Sequence, residues 1–227
     1  MSPRDPLVRS LGAALVDGGL NVIASADAAG WPGAGALLDG ARSVIVVGSG
    51  GRALWSRFRA WSDEAPRARL LDEAHPLDRY VGTVLDRGDA LLAAAGVRAR
   101  RFEPTVVFEP RVDFRRLATL AGLGASSPLG IVVHPVFGPW WALRGAWLID
   151  RALPPTPPLV LPCEGCASAP CRAAIPDGTE GTILAAIFPA RAACRIQEHR
   201  YTDEQIAWHL DFQAARRRLA ALHGVGA

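Results

Sequence analysis

Apolar side chains recur every three or four positions in five parts of the chain, the spacing of one face of an amphipathic helix. The most regular stripe lies between Pro76, a residue favoured at the first helical position, and Gly96, which ends the pattern. Thr202 and Gln205 form a capping-box pattern that marks the start of the last helix. The predicted helices cover residues 6–18, 53–61, 76–95, 113–120 and 202–222.

Short runs rich in β-branched residues predict strands between these helices. A short strand is predicted at Val22-Ile23 and an interrupted one over residues 97–107. Residues 43–47 (SVIVV) predict a buried strand, and the glycine-rich GSGG sequence that follows predicts a tight turn. The glycine spacing differs from GxGxxG, so a phosphate-binding loop is the less favoured alternative.

Residues 129–149 (LGIVVHPVFGPWWALRGAWLI) predict a hairpin with strands over 129–133 and 140–149. His134-Pro135 ends the first strand because proline disfavours helical backbone at the residue before it. On the second strand, strict alternation places Arg144 on the face of Ala146 and Leu148. An arginine on such an apolar face needs an anion or carbonyl groups to offset its desolvation, and an internal salt bridge is the simplest account.

Length and composition exclude several classes of protein. The 227 residues, half of them hydrophobic, predict one α/β domain. No apolar run approaches the roughly 20 residues of a membrane span, and the N-terminal MSPRDPLVRS lacks an apolar signal region, so we expect a cytoplasmic protein. The net charge of +3 is spread out and gives no strong nucleic-acid signal. All 25 basic residues are arginine, which excludes a Schiff-base lysine, a pyridoxal-phosphate anchor and a Walker lysine.

The segment from His134 to Gly145 resembles the HPxFGxWxAxRG signature of the cobalamin-processing family of methylmalonic aciduria type C, the cyanocobalamin reductase/alkylcobalamin dealkylase. HRYTDEQ (residues 199–205) is similar to the RYSEEQ string of the same family. The resemblance implies an α/β (α+β) fold with a flavin-nitroreductase-like central mixed sheet flanked by helices. It also implies a cobalamin site whose residues are His134, Phe137, Gly138, Trp140, Arg144, Gly145, Arg200 and Tyr201.

All four cysteines lie between residues 163 and 194, an arrangement that favours metal binding over disulfides in a cytosolic chain. They are Cys163, Cys166, Cys171 and Cys194. The run PCEGCASAPCRAAIP resembles the first ferredoxin-type run of epoxyqueuosine reductase, a cobalamin-using relative, although its second gap is longer. One 4Fe–4S cluster is the leading expectation, with no metal and zinc as alternatives.

The resemblance implies a cobalamin-binding reductase that removes or reduces the upper axial ligand. Electrons would come from bound FMN, an external reduced flavin or flavoprotein, a thiol reductant, or the cysteine-bound cluster. Arg144 and Arg200 would hold anionic groups of glutathione or a flavin phosphate. Two alternatives stay open: a shortened epoxyqueuosine-reductase-like enzyme with Glu109 as its catalytic acid, and a non-enzymatic cobalamin carrier.

The expected organisation has three parts. Residues 1–152 form the nitroreductase-like core, and residues 153–198 form a proline-rich connector with the cysteine-rich segment. Residues 199–227 carry a helix that packs on the core. Nitroreductase-like folds often dimerise, so a homodimer is also an open expectation.

Overall fold

The structure is a computed structural model that describes residues 5–109, 111–127, 130–160, 162–174 and 183–225, with only the backbone described for 183–186. Among these residues, no helix is both long and apolar enough to cross a bilayer. The α-helices are α1 (Pro6–Val16), α2 (Ala34–Leu37), α3 (Ala53–Asp63), α4 (Pro76–Ala94), α5 (Phe114–Leu120), α6 (Pro170–Ala173), α7 (Ile183–Ala192), α8 (Asp203–Leu210) and α9 (Phe212–Ala221). The strands are β1 (Val22–Asp27), β2 (Ser43–Gly50), β3 (Ala99–Phe102), β4 (Ala125–Ser126), β5 (Val132–Val133) and β6 (Trp141–Ile149).

The main sheet has the strand order β1-β2-β6-β3, and each of its three pairings is antiparallel. Every residue of β2 is buried, as expected for a strand with neighbours on both sides and helices over its faces. The predicted fold class, an α+β sheet flanked by helices, is confirmed. The sheet itself was expected to be mixed, whereas the described strands pair only antiparallel.

Two hydrophobic clusters cover the two faces of this sheet. One face packs against α1, α3, α4, α8 and α9 around Phe58 and Trp147. The other packs against α2, α5 and β5 around Phe102 and Trp141. A smaller third cluster joins Trp140, the residue before β6, to Phe188 on α7 and to Tyr201 in the chain before α8. The third cluster adjoins the candidate site.

The predicted hairpin over residues 129–149 is wrong in its pairing. Val132 and Val133 pair with Ser126 and Ala125 in a separate two-stranded sheet, whereas β6 pairs with β2 and β3. A hydrogen bond from Trp141 Nε1 to the carbonyl of Val132 (2.8 Å) connects the two sheets at this point. The segment therefore carries the chain from one sheet to the other, and its turn lies at their junction. Leu129 lies outside the described residues.

A β-bulge changes the direction of Arg144. Val47 pairs with Gly145 and Gly48 with Leu143, so Arg144 is an extra residue without a partner on β2. The predicted face, shared with Ala146 and Leu148, is wrong, because Leu143 packs in that cluster instead. The extra residue shifts the alternation and turns Arg144 toward α4, α8 and α9.

Two element boundaries also differ from the predictions. Gly48–Gly50 continue strand β2, and the turn begins at Gly51, whose φ of +64° suits glycine. The predicted final helix is two helices, separated at Asp211, whose carboxylate accepts a hydrogen bond from the Ala214 amide.

The proline-rich connector runs along the outer edge of β1. The amide of Thr156 donates to the carbonyl of Ser25 (2.8 Å), and the amide of Ser25 donates to Thr156 Oγ1 (2.9 Å). Ser25 Oγ also donates to the carbonyl of Pro154 (2.8 Å). The connector thus covers the edge strand, whose backbone groups would otherwise lack partners.

Candidate functional site

His134 is fixed inside its own turn. Its backbone amide donates to the carbonyl of Gly138 (2.9 Å), and the Gly138 amide donates back (2.7 Å). Its ring Nδ1 accepts from the amides of Val136 (3.1 Å) and Phe137 (3.3 Å). Burial, and then the nearby His199, lower the pKa of His134 to about 4. At neutral pH the ring is therefore uncharged and carries its proton on Nε2, so it is a hydrogen-bond donor.

The turn is held between the end of β2 and the chain that precedes α8. The Phe137 ring lies 5.0 Å from the ring of His134 and 4.8 Å from that of His199. Phe137 fills the space that a side chain at Gly50 would need. Gly138 has a φ of +58° and lies against Ile196, close to the last cysteine. The turn thus connects the core sheet to the cysteine-bearing segment.

Trp140 is fully buried and packs against Tyr201, with ring centroids 5.5 Å apart. Its indole Nε1 has no hydrogen-bond partner among the described residues. Gly145 is equally enclosed, because a side chain there would meet Leu85 and the carbonyl of Phe102. The structure therefore places both residues in packed surroundings, and their contact with cobalamin stays a prediction.

Arg144 is a half-buried cation without an acidic partner. Its Nε donates to Ser49 Oγ at 3.0 Å, and among the described residues it forms no ion pair. Desolvation lowers its pKa, while Tyr201 and Asp78 act in the opposite direction. The predicted internal salt bridge of Arg144 is therefore wrong for the described residues. Within the described part of the protein, the partly buried guanidinium therefore has no anion to offset its desolvation.

A second such arginine, Arg191 on α7, was not predicted from the sequence. Its Nε is buried without a hydrogen-bond partner among the described residues, and its guanidinium lies over the Phe188 ring at 5.1 Å. Burial lowers its pKa. Arg200, which the resemblance implies would hold anionic groups as Arg144 does, forms an ion pair with Asp203 (2.9 Å), and its guanidinium lies over the Trp140 ring at 5.8 Å. Its role in ligand binding stays a prediction. Nothing in the sequence FPARAAC distinguishes Arg191 from a surface arginine on a helix.

Tyr201 and His209 complete this buried polar group. Burial raises the pKa of Tyr201, and the two guanidiniums of Arg144 and Arg191 lower it in part. His209 stacks on Tyr201 with ring centroids 5.9 Å apart. Burial, followed by the same two arginines, lowers the pKa of His209 to about 4. His209 is therefore neutral at pH 7, and the net local charge is positive.

The guanidinium of Arg144 faces a cavity of about 270 Å³, which we name the Arg144 pocket. Its apolar lining comes from the start of α4 and from α8 and α9: Leu77, Trp208 and Phe212. Its polar lining is His75, Asp78, Arg144 and His209. The pocket lies under the bulge in β6, between the first turn of α4 and the junction of α8 with α9.

The four cysteines are free thiols, each partly buried. Desolvation, and then the other three thiols, raise the pKa of Cys163. Even so, the described residues contain no group of three ligating side chains near enough to share one metal ion. The donor type suits zinc or iron–sulfur, but the arrangement in this structure is not a metal centre.

Glu109 is exposed and forms no described ion pair with Arg144 or any other arginine. It follows β3 in a loop on the side of the sheet covered by α5, whereas Arg144 faces α4, α8 and α9. The structure does not bring Glu109 into the group around Arg144. Its role as a catalytic acid stays a prediction.

Comparison with known proteins identified no relative by sequence. No family model matches the chain. No curated protein matches it significantly.

Several solved structures match this chain, and two of them illustrate the shared fold. The B12-trafficking protein CblC of C. elegans, a human MMACHC homologue, aligns with a TM-score of 0.63 and 11% identity, covering 94% of this chain and 95% of that one. Epoxyqueuosine reductase aligns with a TM-score of 0.52 and 15% identity over 75% of this chain. The match spans 51%, about half, of the reductase. The resemblance seen in the sequence is thus confirmed in structure, and this chain has the fold of CblC.

Proposed function

We propose that this protein binds cobalamin and removes or reduces its upper axial ligand. The observation that carries the proposal is the likeness to a B12-trafficking protein over nearly the whole of both chains. The HPVFGPWWALRG segment supports it, because its turn lies at the junction of the two sheets beside the cysteine-bearing segment. A fold is compatible with many functions, so the proposal depends on this site being tested directly.

His134 has a defined part in this proposal. Its Nδ1 is used by two backbone amides, so its Nε2–H is available as a donor to the amide-bearing rim or the nucleotide tail of a corrinoid. A neutral donor of this kind positions a ligand without bringing a strong base to the cobalt. His134 would therefore act in orientation, and Phe137 beside it would supply apolar contact.

Three classes of electron donor are compatible with the proposal: FMN or another reduced flavin, a thiol, and a cluster bound by the cysteines. The cysteines as placed do not form a metal centre, so no step is assigned to a cluster. The effect of the other three thiols on the pKa of Cys163 still supports testing for a cluster. Protein purified without oxygen should then contain iron and absorb visible light, and an iron-free, colourless sample would rule the cluster out.

The share of each solved structure that aligns with this chain favours cobalamin processing over an epoxyqueuosine-reductase activity. This chain aligns with 95% of CblC but with only 51% of the reductase. The extent of the alignment does not separate a processing enzyme from a cobalamin carrier, since both bind the same ligand.

Spectral titration with cyanocobalamin tests the proposal. Binding shifts the absorbance of the corrin, and loss of cyanide after addition of reduced FMN or of glutathione identifies both the reaction and the donor. Binding without decyanation under either reductant would indicate a carrier. Absence of binding would contradict both functions.

Variants at the turn test the site itself. His134→Ala should weaken cyanocobalamin binding more than tenfold, or by about 1.4 kcal/mol, if the ring contacts the ligand. His223→Ala is the matched control, because His223 follows α9 and pairs with Asp63 at the end of α3, outside the His134 turn. Unchanged affinity in His134→Ala, with lowered stability, would assign His134 a structural role only.

A further inference from the structure

The proline-rich connector is held against the rest of the protein at every third residue. Leu153 is only 7% exposed, and its amide donates to a serine hydroxyl at the start of β2 (2.8 Å). Thr156 exchanges two hydrogen bonds with the backbone of Ser25 on β1. The amide of Leu159 donates to the carbonyl of Gly122 (3.3 Å). The three anchoring residues are thus spaced three positions apart.

This spacing indicates a polyproline II helix, which has about three residues per turn and no internal hydrogen bonds. Residues 153–160 lie outside the helices and strands of the protein. Proline fixes its own φ at about −65°, close to the φ of this helix, and keeps the residue before it extended. The prolines of the segment are Pro154, Pro155, Pro157 and Pro158. One of the three helix faces therefore rests on the protein, and the other two point away from it.

The two outward faces carry the prolines. The first face carries Pro154, Pro157 and Val160, and the second carries Pro155 and Pro158. All five residues are exposed, Val160 to 86%. The hydrogen bonds that cover the edge of β1 come from the inward face and from a backbone carbonyl, so they do not use the proline rings. The fold thus leaves two apolar rows open to a partner.

The two rows have the spacing that one class of binding groove recognises. Pro154 and Pro157 form one PxxP pair, and Pro155 and Pro158 form a second. Grooves lined by aromatic rings, such as those of SH3, WW and EVH1 domains, bind PxxP segments in the polyproline II conformation. A segment that is already extended and anchored loses little conformational freedom on binding, which favours affinity.

Arg151 adds a charge at one end of the segment. It is exposed, and it forms no ion pair within the described part of the chain. A carboxylate beside an aromatic groove would pair with this guanidinium. Such a pair at the rim of an interface sets the direction of binding more than its strength.

We propose that residues 154–160 are a docking surface for a partner domain that binds polyproline II segments in an aromatic-lined groove flanked by an acidic residue. The anchored face stays on β1 while the two proline rows enter the groove. The inference goes beyond the proposed function, because it uses no residue of the proposed cobalamin site.

Calorimetric titration of the full-length protein with a panel of purified SH3, WW and EVH1 domains tests the inference. At least one domain should bind. A variant of that domain in which an aromatic residue of its groove is replaced by alanine should bind at least tenfold more weakly. Binding of no domain in the panel, or equal binding of the groove variant, would overturn the proposal and leave the prolines with only the role of stiffening the connector.

Variants of this chain test the two rows. One double variant combines Pro154→Ala with Pro157→Ala, and the other combines Pro155→Ala with Pro158→Ala. Each should weaken binding of the domain at least tenfold, and urea denaturation shows that the variant is folded. Pro104→Ala is the matched control, because Pro104 is an exposed proline in the loop after β3. Unchanged affinity in both double variants would overturn the proposal.

Two further measurements test the charge and the accessibility of the surface. Arg151→Gln should weaken binding, and its difference from the parent should shrink as salt is added. Arg79→Gln, at another exposed arginine, is the control, and equal affinities of the two variants would overturn the acidic flank. A synthetic peptide of residues 151–160 should bind no more tightly than the full-length protein. A domain that binds this peptide but not the protein would show that the fold covers the surface, and would overturn the proposal.

Discussion

Ser49 and Arg144 are joined by a hydrogen bond of 3.0 Å across the bulge between β2 and β6. Ser49 is only 2% exposed, so water cannot take the place of its hydroxyl as the acceptor for Arg144 unless the surrounding structure rearranges. Ser49→Ala should therefore leave Arg144 Nε without a partner and lower the free energy of unfolding by about 1–3 kcal/mol. Urea denaturation measures this change.

The control for that prediction is Ser10→Ala, at an exposed position on α1, which should change stability by less than about 0.5 kcal/mol. Equal effects of the two substitutions would show that the Ser49 hydroxyl does not hold the arginine. Ser49→Thr, which retains the hydroxyl, should recover part of the loss if the added methyl group fits.

Gly138 is required for two separate reasons. Its φ of +58° disfavours any residue with a Cβ, and a Cβ placed there would lie 2.7 Å from the Cβ of Ile196. Gly138→Ala should cost about 2–5 kcal/mol, the sum of left-handed backbone strain and overpacking.

Gly130→Ala separates these two contributions. Gly130 has a similar φ of +69°, but apart from its chain neighbours no described residue has an atom within 4 Å of the point that a Cβ on Gly130 would occupy. The substitution should cost only the backbone strain of about 1–2 kcal/mol. Chemical denaturation of both variants gives the difference, and equal losses would mean that the contact with Ile196 relaxes freely.

The helices were predictable because their signals are local. The apolar stripe of α4 depends only on residues three and four apart, and proline opens the helix as expected. Thr202 likewise caps α8, accepting from the amide of Gln205 at 3.1 Å. Such patterns report one element at a time, and they do not specify which strands pair.

The site was harder to predict because it depends on pairing and packing. Alternation placed Arg144 with Ala146, and one extra residue in the register reversed that assignment. Arg191 was missed because α7 is buried by packing near Tyr201, in the chain before α8, and this neighbour is brought there only by the fold. A bulge or a tertiary contact leaves no local pattern in a single sequence.

The side-chain oxygen of Gln205 is a buried hydrogen-bond acceptor without a donor among the described residues. The capping pattern predicts that its side chain reaches back to the helix start, but Oε1 is buried without a hydrogen-bond partner among the described residues. Gln205→Met keeps the side-chain length and removes that acceptor. It should preserve stability or raise it by about 1 kcal/mol, as measured by urea denaturation.

The exposed Gln213 on α9 provides the comparison for this substitution. Gln213→Met removes no buried polar group and should leave stability within about 0.5 kcal/mol of the parent. A marked loss of stability in Gln205→Met, without a similar loss in Gln213→Met, would show that the NH2 group of the Gln205 side chain makes a stabilising contact.

His134 should make the fold sensitive to mild acid. Its pKa is about 4 in the folded protein, below the ordinary 6.5, because burial disfavours the charged ring. Between these values the unfolded chain binds a proton that the folded chain does not, so stability falls as the pH drops from 6.5 toward 4. With His134 only 5% exposed, the loss should be on the order of 2–3 kcal/mol.

Urea denaturation at pH 7, 5.5 and 4.5 tests this dependence on His134. His134→Asn lacks the titrating ring, so its stability at pH 7 should be lower but should decline less steeply with acid than that of the parent. His75→Asn is the control for the loss of a histidine, because His75 is exposed. Burial also lowers the pKa of His209 to about 4. His209 should therefore account for much of the pH dependence that remains in His134→Asn. An identical slope in His134→Asn and the parent would show that His134 is not held uncharged in the folded state.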